Sequence, residues 1–228
     1  MASFEKSDLI TRVRRRADQE NSEFVTDDEL TDYLNRGLSE LWDIIVTSFQ
    51  HYSVATEEYT TPSTTAFTLP GDFYKLIGVD FTASGTSYAT RVRPYEFQHR
   101  NTYQSPLLVA SGLNSIMYQL VGDEFKVIPD DSPPAGTVKL WYVPTAPQFT
   151  DVEDVVGGIT PGYEDYAVTF AVIQTKAKEE SDIAFEVSNL ERLKLRIEQA
   201  ARRRDAGETK SIVDVGNGTE FYHDVFFR

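Results

Sequence analysis

The chain has 228 residues, with 36 Asp and Glu against 22 Lys and Arg for a formal charge of -14, 40% apolar residues, 12% aromatics and no cysteine. At roughly 150 residues per domain this is one large domain or two small ones, and the lack of cysteine excludes disulfides, thiolate metal sites and thiol nucleophiles. The acidic balance argues against broad attraction to duplex nucleic acid or anionic lipid, which draws on a dense basic surface. No window approaches the roughly 18–20 apolar residues of a bilayer span, and Met1 to Asp8 lacks the apolar stretch of an export signal, so neither a membrane anchor nor classical export is expected.

From the N-terminus, Leu9, Ile10, Val13 and Ala17 predict a short helix over Asp8 to Ala17, and the polar stretch Asp18 to Val25 reads as a connecting loop. Thr26-Asp-Asp-Glu29 is a capping box: the Thr26 hydroxyl can accept the amide of residue 29 while the Glu29 carboxylate reaches back to the Thr26 amide. Behind it Leu30, Tyr33, Leu34, Leu38, Leu41, Trp42, Ile45 and Phe49 recur at spacings of three and four, one apolar stripe on a long second helix.

From about Ser53 the apolar period falls to two, and Pro, Gly, Ser and Thr become frequent. Strands are expected at Val54 to Thr60, Ala66 to Leu69, Lys75 to Phe81, Ser87 to Val92, Met117 to Val121, Phe125 to Ile128 and Thr137 to Val143, with Gly122-Asp123 as a hairpin turn. Pro94-Tyr95-Glu96-Phe97 is expected to open a short helix, Asn101 to Leu113 to be an irregular loop, and Asp151 to Gly158 an acidic, glycine-bearing linker.

Helical spacing returns with Tyr166, Ala167, Phe170, Ile173 and Ala177. After a break near Ser181-Asp182, Ile183, Val187, Leu190, Leu193, Ile197 and Ala200 follow in a near-heptad pattern ending at Ala206-Gly207. The predicted fold is α+β: a four-helix bundle core of two N-terminal and two C-terminal helices, an inserted antiparallel β-rich domain, and an extended C-terminal tail. The expected divisions are a helical hairpin at 1–52, the β insertion at 53–158, the second helical pair at 159–207 and the tail at 208–228. The tail gathers Phe221, Tyr222, Phe226 and Phe227; either it docks on a partner or it folds back as a strand on its own β domain, since four exposed aromatics invite aggregation.

Catalytic patterns are thin. His51, His99 and His223 lie far apart with no second histidine at metal-ligand spacing, and Val155-Val156-Gly157-Gly158 lacks the lysine and context of a phosphate loop. Ser111 lacks a nucleophile-elbow frame, and Asp27-Asp28, Asp130-Asp131 and Glu179-Glu180 fall at caps, turns or helix ends. Asn217-Gly218-Thr219 matches a glycosylation sequon but reads better as a turn. No catalytic residue, metal site or cofactor is expected.

Two basic runs stand out, Arg12 to Arg16 on the first helix and Arg192 to Arg204 on the last. Arg12 with Arg16, and Arg192 with Arg196, are four apart and form ridges beside the buried stripes, with Arg203 continuing the second. They serve the helix dipole at a C-terminus, ion pairs between subunits of an acidic oligomer, or phosphate contact.

The order of these parts resembles the head-to-tail adaptor, or connector, proteins of tailed bacteriophages. The resemblance is carried by Asp8-Leu-Ile-Thr-Arg-Val-Arg-Arg-Arg, by Thr26-Asp-Asp-Glu-Leu-Thr-Asp-Tyr-Leu-Asn-Arg-Gly-Leu-Ser-Glu-Leu and by Leu69-Pro-Gly-Asp-Phe-Tyr-Lys-Leu-Ile-Gly-Val. Leu140-Trp-Tyr-Val-Pro and Pro161-Gly-Tyr-Glu-Asp-Tyr-Ala-Val complete it, so that it spans about Ser7 to Ala206. It implies a non-enzymatic virion protein made in the bacterial cytoplasm and placed in the neck. There it would form a ring, expected to be twelvefold, beneath the portal protein and offer a platform to a tail or nozzle protein. Viral DNA would pass through the channel without specific binding, eased by an acidic wall that repels phosphate. The C-terminal extension would reach the portal through Ile212, Val213, Val215, Phe221, Tyr222, Phe226 and Phe227. A neck stopper or tail-tube component of the same assembly remains open. So does a carbohydrate or small-ligand module built on Phe73, Tyr74, Tyr95, Tyr103, Tyr118, Trp141 and Tyr142, and so does a DNA-binding regulator using the helical arginines.

Overall fold

The computed structural model of the chain describes residues 2–19, 24–61, 64–99, 116–128, 133–150 and 154–204. Among them are four helices, α1 (Lys6–Ala17), α2 (Asp27–Ser48), α3 (Glu164–Lys178) and α4 (Ala184–Arg202). The capping box forms as expected: the Glu29 amide donates to Thr26 Oγ1 at 3.2 Å and the Thr26 amide to a Glu29 carboxylate oxygen at 3.1 Å. Thr26→Ala removes one half of that exchange and should lower stability by about 1 kcal/mol, read as a shifted urea midpoint with an unchanged slope.

Burial follows the stripe on α2, where Leu30, Leu34, Leu38, Leu41, Trp42, Ile45 and Val46 are buried and Tyr33 and Phe49 pack at the margin. Helix α3 touches the other three helices, and α2 also touches α1 and α4. One apolar cluster gathers Leu9 and Val13 of α1, the α2 stripe, Ala167, Val168 and Ala171 of α3, and Leu193 and Ile197 of α4. Gly37 permits the α2–α3 approach, since a Cβ there would lie 2.9 Å from the Ala167 Cα.

Helix α4 departs from its expected stripe. Leu193, Ile197 and Ala201 are buried and Leu190 packs partly, whereas Val187 and Ala200 are exposed. The near-heptad spacing is real, but full burial on α4 begins only at Leu193.

Ten strands are described. β2 (Ala55–Thr61), β9 (Gly136–Pro144), β4 (Phe73–Ala83) and β5 (Thr90–Arg91) form one antiparallel sheet in that order. β3 (Ala66–Thr68), β8 (Glu124–Ile128), β7 (Met117–Val121) and β6 (Arg93–Pro94) form a second, in which only the β6–β7 pair is parallel. Val79, Phe81, Val138, Leu140 and Tyr142 of the first sheet pack with Phe125 and Val127 of the second in a separate apolar cluster. The Gly122-Asp123 hairpin is present, with Gly122 at φ 62 in the left-handed region that glycine tolerates.

Three expectations change. The strand expected at Ser87 to Val92 is only Thr90–Arg91, after which the chain crosses to the second sheet as β6. Pro94 ends that strand instead of opening a helix, and a single 3-10 turn follows at Phe97–His99. The supposed linker is in part strand: β10 (Val155–Ile159) pairs antiparallel with β1 (Ala2–Glu5), a strand that the sequence reading did not place. Val156 and Ile159 are buried in the helical cluster, and the register slips by one where Gly157 and Gly158 lie opposite the stretch from Ala2 to Phe4. That glycine pair hides the alternation of apolar side chains that would have marked the strand. The loop expected at Asn101 to Leu113 and the tail at 208–228 lie outside the described residues.

Side chains tie the sheets to the helices. Asn35 of α2 donates to the Phe149 carbonyl at 2.9 Å and accepts the Phe149 amide at 2.8 Å, so its amide acts as a surrogate strand for the segment leaving β9. The Trp42 indole N–H donates to the Pro144 carbonyl at 2.9 Å, and the Tyr74 hydroxyl donates to Asp43 at 2.5 Å. Among the described residues, no helix is long and apolar enough to cross a membrane.

Candidate functional site

The basic ridge of α1 faces the first turn of α3. Arg12 donates to Asp165 and lies 3.5 Å from Glu164, and Arg16 donates to the Thr169 hydroxyl at 3.2 Å with its guanidinium 3.9 Å from Asp165. Two carboxylates in a first helical turn favour the positive end of the macrodipole, and the guanidinium neutralises them from outside. Arg14 joins α1 to the head of α2, donating to Asp27 at 2.7 Å and to the Val25 carbonyl at 3.0 Å.

Glu164 is only 8% exposed and its other oxygen accepts the Gly162 amide at 2.6 Å, so it depends on Arg12 for charge compensation. Arg12→Ala should therefore cost about 1–2 kcal/mol, the pair being partly screened, and Arg12→Lys should recover part of it. Thermal melts of the two variants beside the parent check this.

On α4, Arg196 donates to the Gly162 carbonyl at 2.8 Å, Arg192 to the Asn189 side chain at 2.8 Å, and Arg203 is the exposed C-cap. Arg16 and Arg192, distant in sequence, line one groove of about 340 Å³ between α1, α3 and α4, with Val172 and the 78% exposed ring of Phe185. Arg204 stacks on the Tyr52 ring at 4.1 Å. The residues chosen for the ridge thus divide. Arg12, Arg16 and Arg196 clip the chain to itself, while Arg192 and Arg203 face outward.

Other ion pairs knit the same elements. Lys178 of α3 sits 2.7 Å from Glu29 and Lys176 pairs with Glu186 of α4. The hydrogen bond from the lysine in each pair holds the glutamate pKa below its ordinary value. A wider, open cavity of about 740 Å³ between the heads of α1 and α2 and β10 is lined by Lys6, Arg14, Asp27, Asp28 and Asp154. Lys6 is paired with Asp154 and Arg14 with Asp27, so its cations are already matched.

The aromatics proposed for a ligand platform are dispersed. Phe73 packs on Tyr142 with centroids 5.7 Å apart, Tyr118 stacks on Phe125 at 6.0 Å, and Trp141 donates to Asp80 at 2.8 Å from the opposite face of the first sheet. Burial, and next the hydrogen bond it donates to Asp72 at 2.9 Å, push the Tyr142 phenol up to about 12. Burial likewise raises Tyr166, whose hydroxyl donates to Glu40 at 3.2 Å. Both phenols stay protonated at neutral pH and act as donors, Tyr166 joining α3 to α2 and Tyr142 joining β9 to the turn before β4.

Of the three histidines, His51 packs edge-on against Phe49 at 6.2 Å, and His223 lies outside the described residues. Among the described residues, no group of three or more His, Cys, Asp or Glu is placed to hold a metal ion. The tail residues Ile212, Val213, Val215, Phe221, Tyr222, Phe226 and Phe227, with Tyr103 of the β segment, are outside the described residues as well. What the sequence reading missed is the partner of the α1 arginines. Glu164 and Asp165 form the acidic first turn of α3, and no local pattern in the sequence says that α1 lies across it.

No curated protein matches the chain. The sequence model of the family described as SU10 adaptor protein matches residues 6–211, from the start of α1 to beyond the end of α4. All four helices, both four-stranded sheets and the Arg12–Asp165 clip fall within that span. The chain therefore belongs to the SU10 adaptor protein family, a family of bacteriophage structural adaptors.

Proposed function

We propose that this adaptor is a head-to-tail connector. It assembles as a ring, twelvefold on the family resemblance, beneath the portal protein, prolongs the channel through which viral DNA passes, and presents a platform to the tail or nozzle protein. The observation that carries this reading is the family match over residues 6–211, which spans every described helix. The formal charge of -14 agrees with a wall that DNA slides past without adhering.

In this reading the four helices act as a bundle and the β segment is its insertion. The ion pairs that join α1, α3 and α4 keep the subunit rigid enough to hold a ring contact. Arg192 and Arg203 are available for carboxylates of a neighbouring subunit, and the tail docks on the portal through its aromatic residues.

Deleting residues 211–228 tests the tail assignment. Portal binding by the truncated chain should fall by at least tenfold, about 1.4 kcal/mol or more of binding free energy, while its circular dichroism and melting temperature match the parent. Undiminished portal binding would remove the tail from the interface.

A further inference from the structure

The first sheet carries a transverse row of charges. Glu58 of β2 is opposite Lys139 of β9, Lys139 is opposite Asp80 of β4, and Asp80 is opposite Arg91 of β5. Residues directly opposite one another share a face of the sheet, so the four side chains stand in line across it, negative, positive, negative, positive. The row is on the side away from the apolar cluster, which takes the alternate residues Val138, Leu140, Val79 and Phe81. Glu58 and Lys139 are paired at 3.1 Å.

The row ends in a carboxylate on one edge and a guanidinium on the other. Among the described residues, β2 pairs only with β9 and β5 only with β4, so both ends are sheet edges. Residues Thr56 to Glu58 are exposed along β2, and Thr90 and Arg91 are exposed on β5. Each edge is also flanked by an exposed apolar side chain, Val54 just before β2 and Tyr88, 70% exposed, just before β5.

We propose that the β2 edge of one subunit pairs with the β5 edge of the next, so that the sheet and its alternating charge row continue from copy to copy around the ring. The inference rests on the ring reading above and adds to it the surface through which the ring closes. Strand direction allows it: the sheet has four strands that alternate in direction, so a copy placed side by side presents β5 antiparallel to β2. Charge selects it, because Arg91 meets Glu58 of the neighbour. Pairing β2 with a second β2 would instead bring together two edges that each carry Glu57 and Glu58. A contact between two different edges is heterologous, the kind that closes into a ring and not a two-fold dimer.

The chain has no cysteine, so introduced thiols report the contact cleanly. Full-length Glu58→Cys and Arg91→Cys chains, assembled with portal and oxidised, should give disulfide-linked dimers when mixed and none when either is assembled alone. The double variant should give a ladder of higher multimers. Hydrogen exchange on the unsubstituted protein supplies the second reading, with amides of 55–61 slowed about tenfold or more on assembly. A link between Glu58→Cys chains alone would replace this contact by β2–β2 pairing and overturn it. A ring that forms with neither cross-link nor added protection would overturn it while leaving the ring reading intact. Failure of the parent to assemble at all would overturn both.

Discussion

Replacing Phe125 by Ala is expected to destabilise the β region by about 3–5 kcal/mol, the range for deleting a fully buried aromatic ring. Phe125 has no exposed surface and is stacked on Tyr59 at 5.8 Å and Tyr118 at 6.0 Å, with Phe67 tilted against it at 6.4 Å. Removing the ring takes one side of three aromatic contacts at once. The two sheets that sandwich it are held by strand pairing, which limits how far they can collapse into the space. Phe125→Leu should recover most of the loss, and Tyr88→Ala, on an exposed loop, should change stability by less than about 0.5 kcal/mol. Urea unfolding of the three variants followed by near-ultraviolet circular dichroism checks the ranking. A Phe125→Ala protein as stable as the parent would mean that this cluster is not a tightly packed core.

The second large effect is expected at Gly37, where intrinsic propensity and packing oppose each other. In an open helix interior, replacing glycine by alanine adds about 0.5–1 kcal/mol of stability. At Gly37 a Cβ would sit 2.9 Å from the Ala167 Cα and 3.1 Å from its carbonyl oxygen, and the obstacle is backbone, which cannot rotate away. Gly37→Ala should therefore destabilise, and Gly37→Val, with two further carbons in the contact, should cost roughly 3 kcal/mol as α2 and α3 are pushed apart. The check is a thermal melt of both variants followed by helical ellipticity. A higher melting temperature for Gly37→Ala would show that the helices approach less closely than described.

The capping box and the α2 stripe were legible because they are local: a cap, then a period of three to four, is written in adjacent residues. The strands with regular alternation were legible for the same reason, and their ends moved by only a residue or two. Two kinds of feature were not. β10 contains Gly157-Gly158, which breaks the alternation, and its pairing with residues 2–5 spans 150 or more positions of sequence, which no local pattern encodes. The partners of Arg12 and Arg16 on α3 are separated from them by a similar distance along the chain.

For the functional surfaces, the ridge residues were found by spacing, but spacing does not say which guanidinium is used inside the subunit. Charge on an amphipathic helix is expected beside a buried stripe whether or not a partner exists. Only the geometry separates Arg12, Arg16 and Arg196, which bond to α3 or the turn before it, from Arg192, whose bond stays within α4, and from the exposed Arg203. The alternating row on the first sheet likewise needed the register, since its four charges come from strands far apart in sequence.

The adaptor account is tested most directly by native mass spectrometry of the full chain, alone and after mixing with the portal protein of the same virus. A closed homo-oligomer of this chain, bound in fixed stoichiometry to the portal ring, is the expected result. A chain that stays monomeric and passes the portal without binding would contradict it.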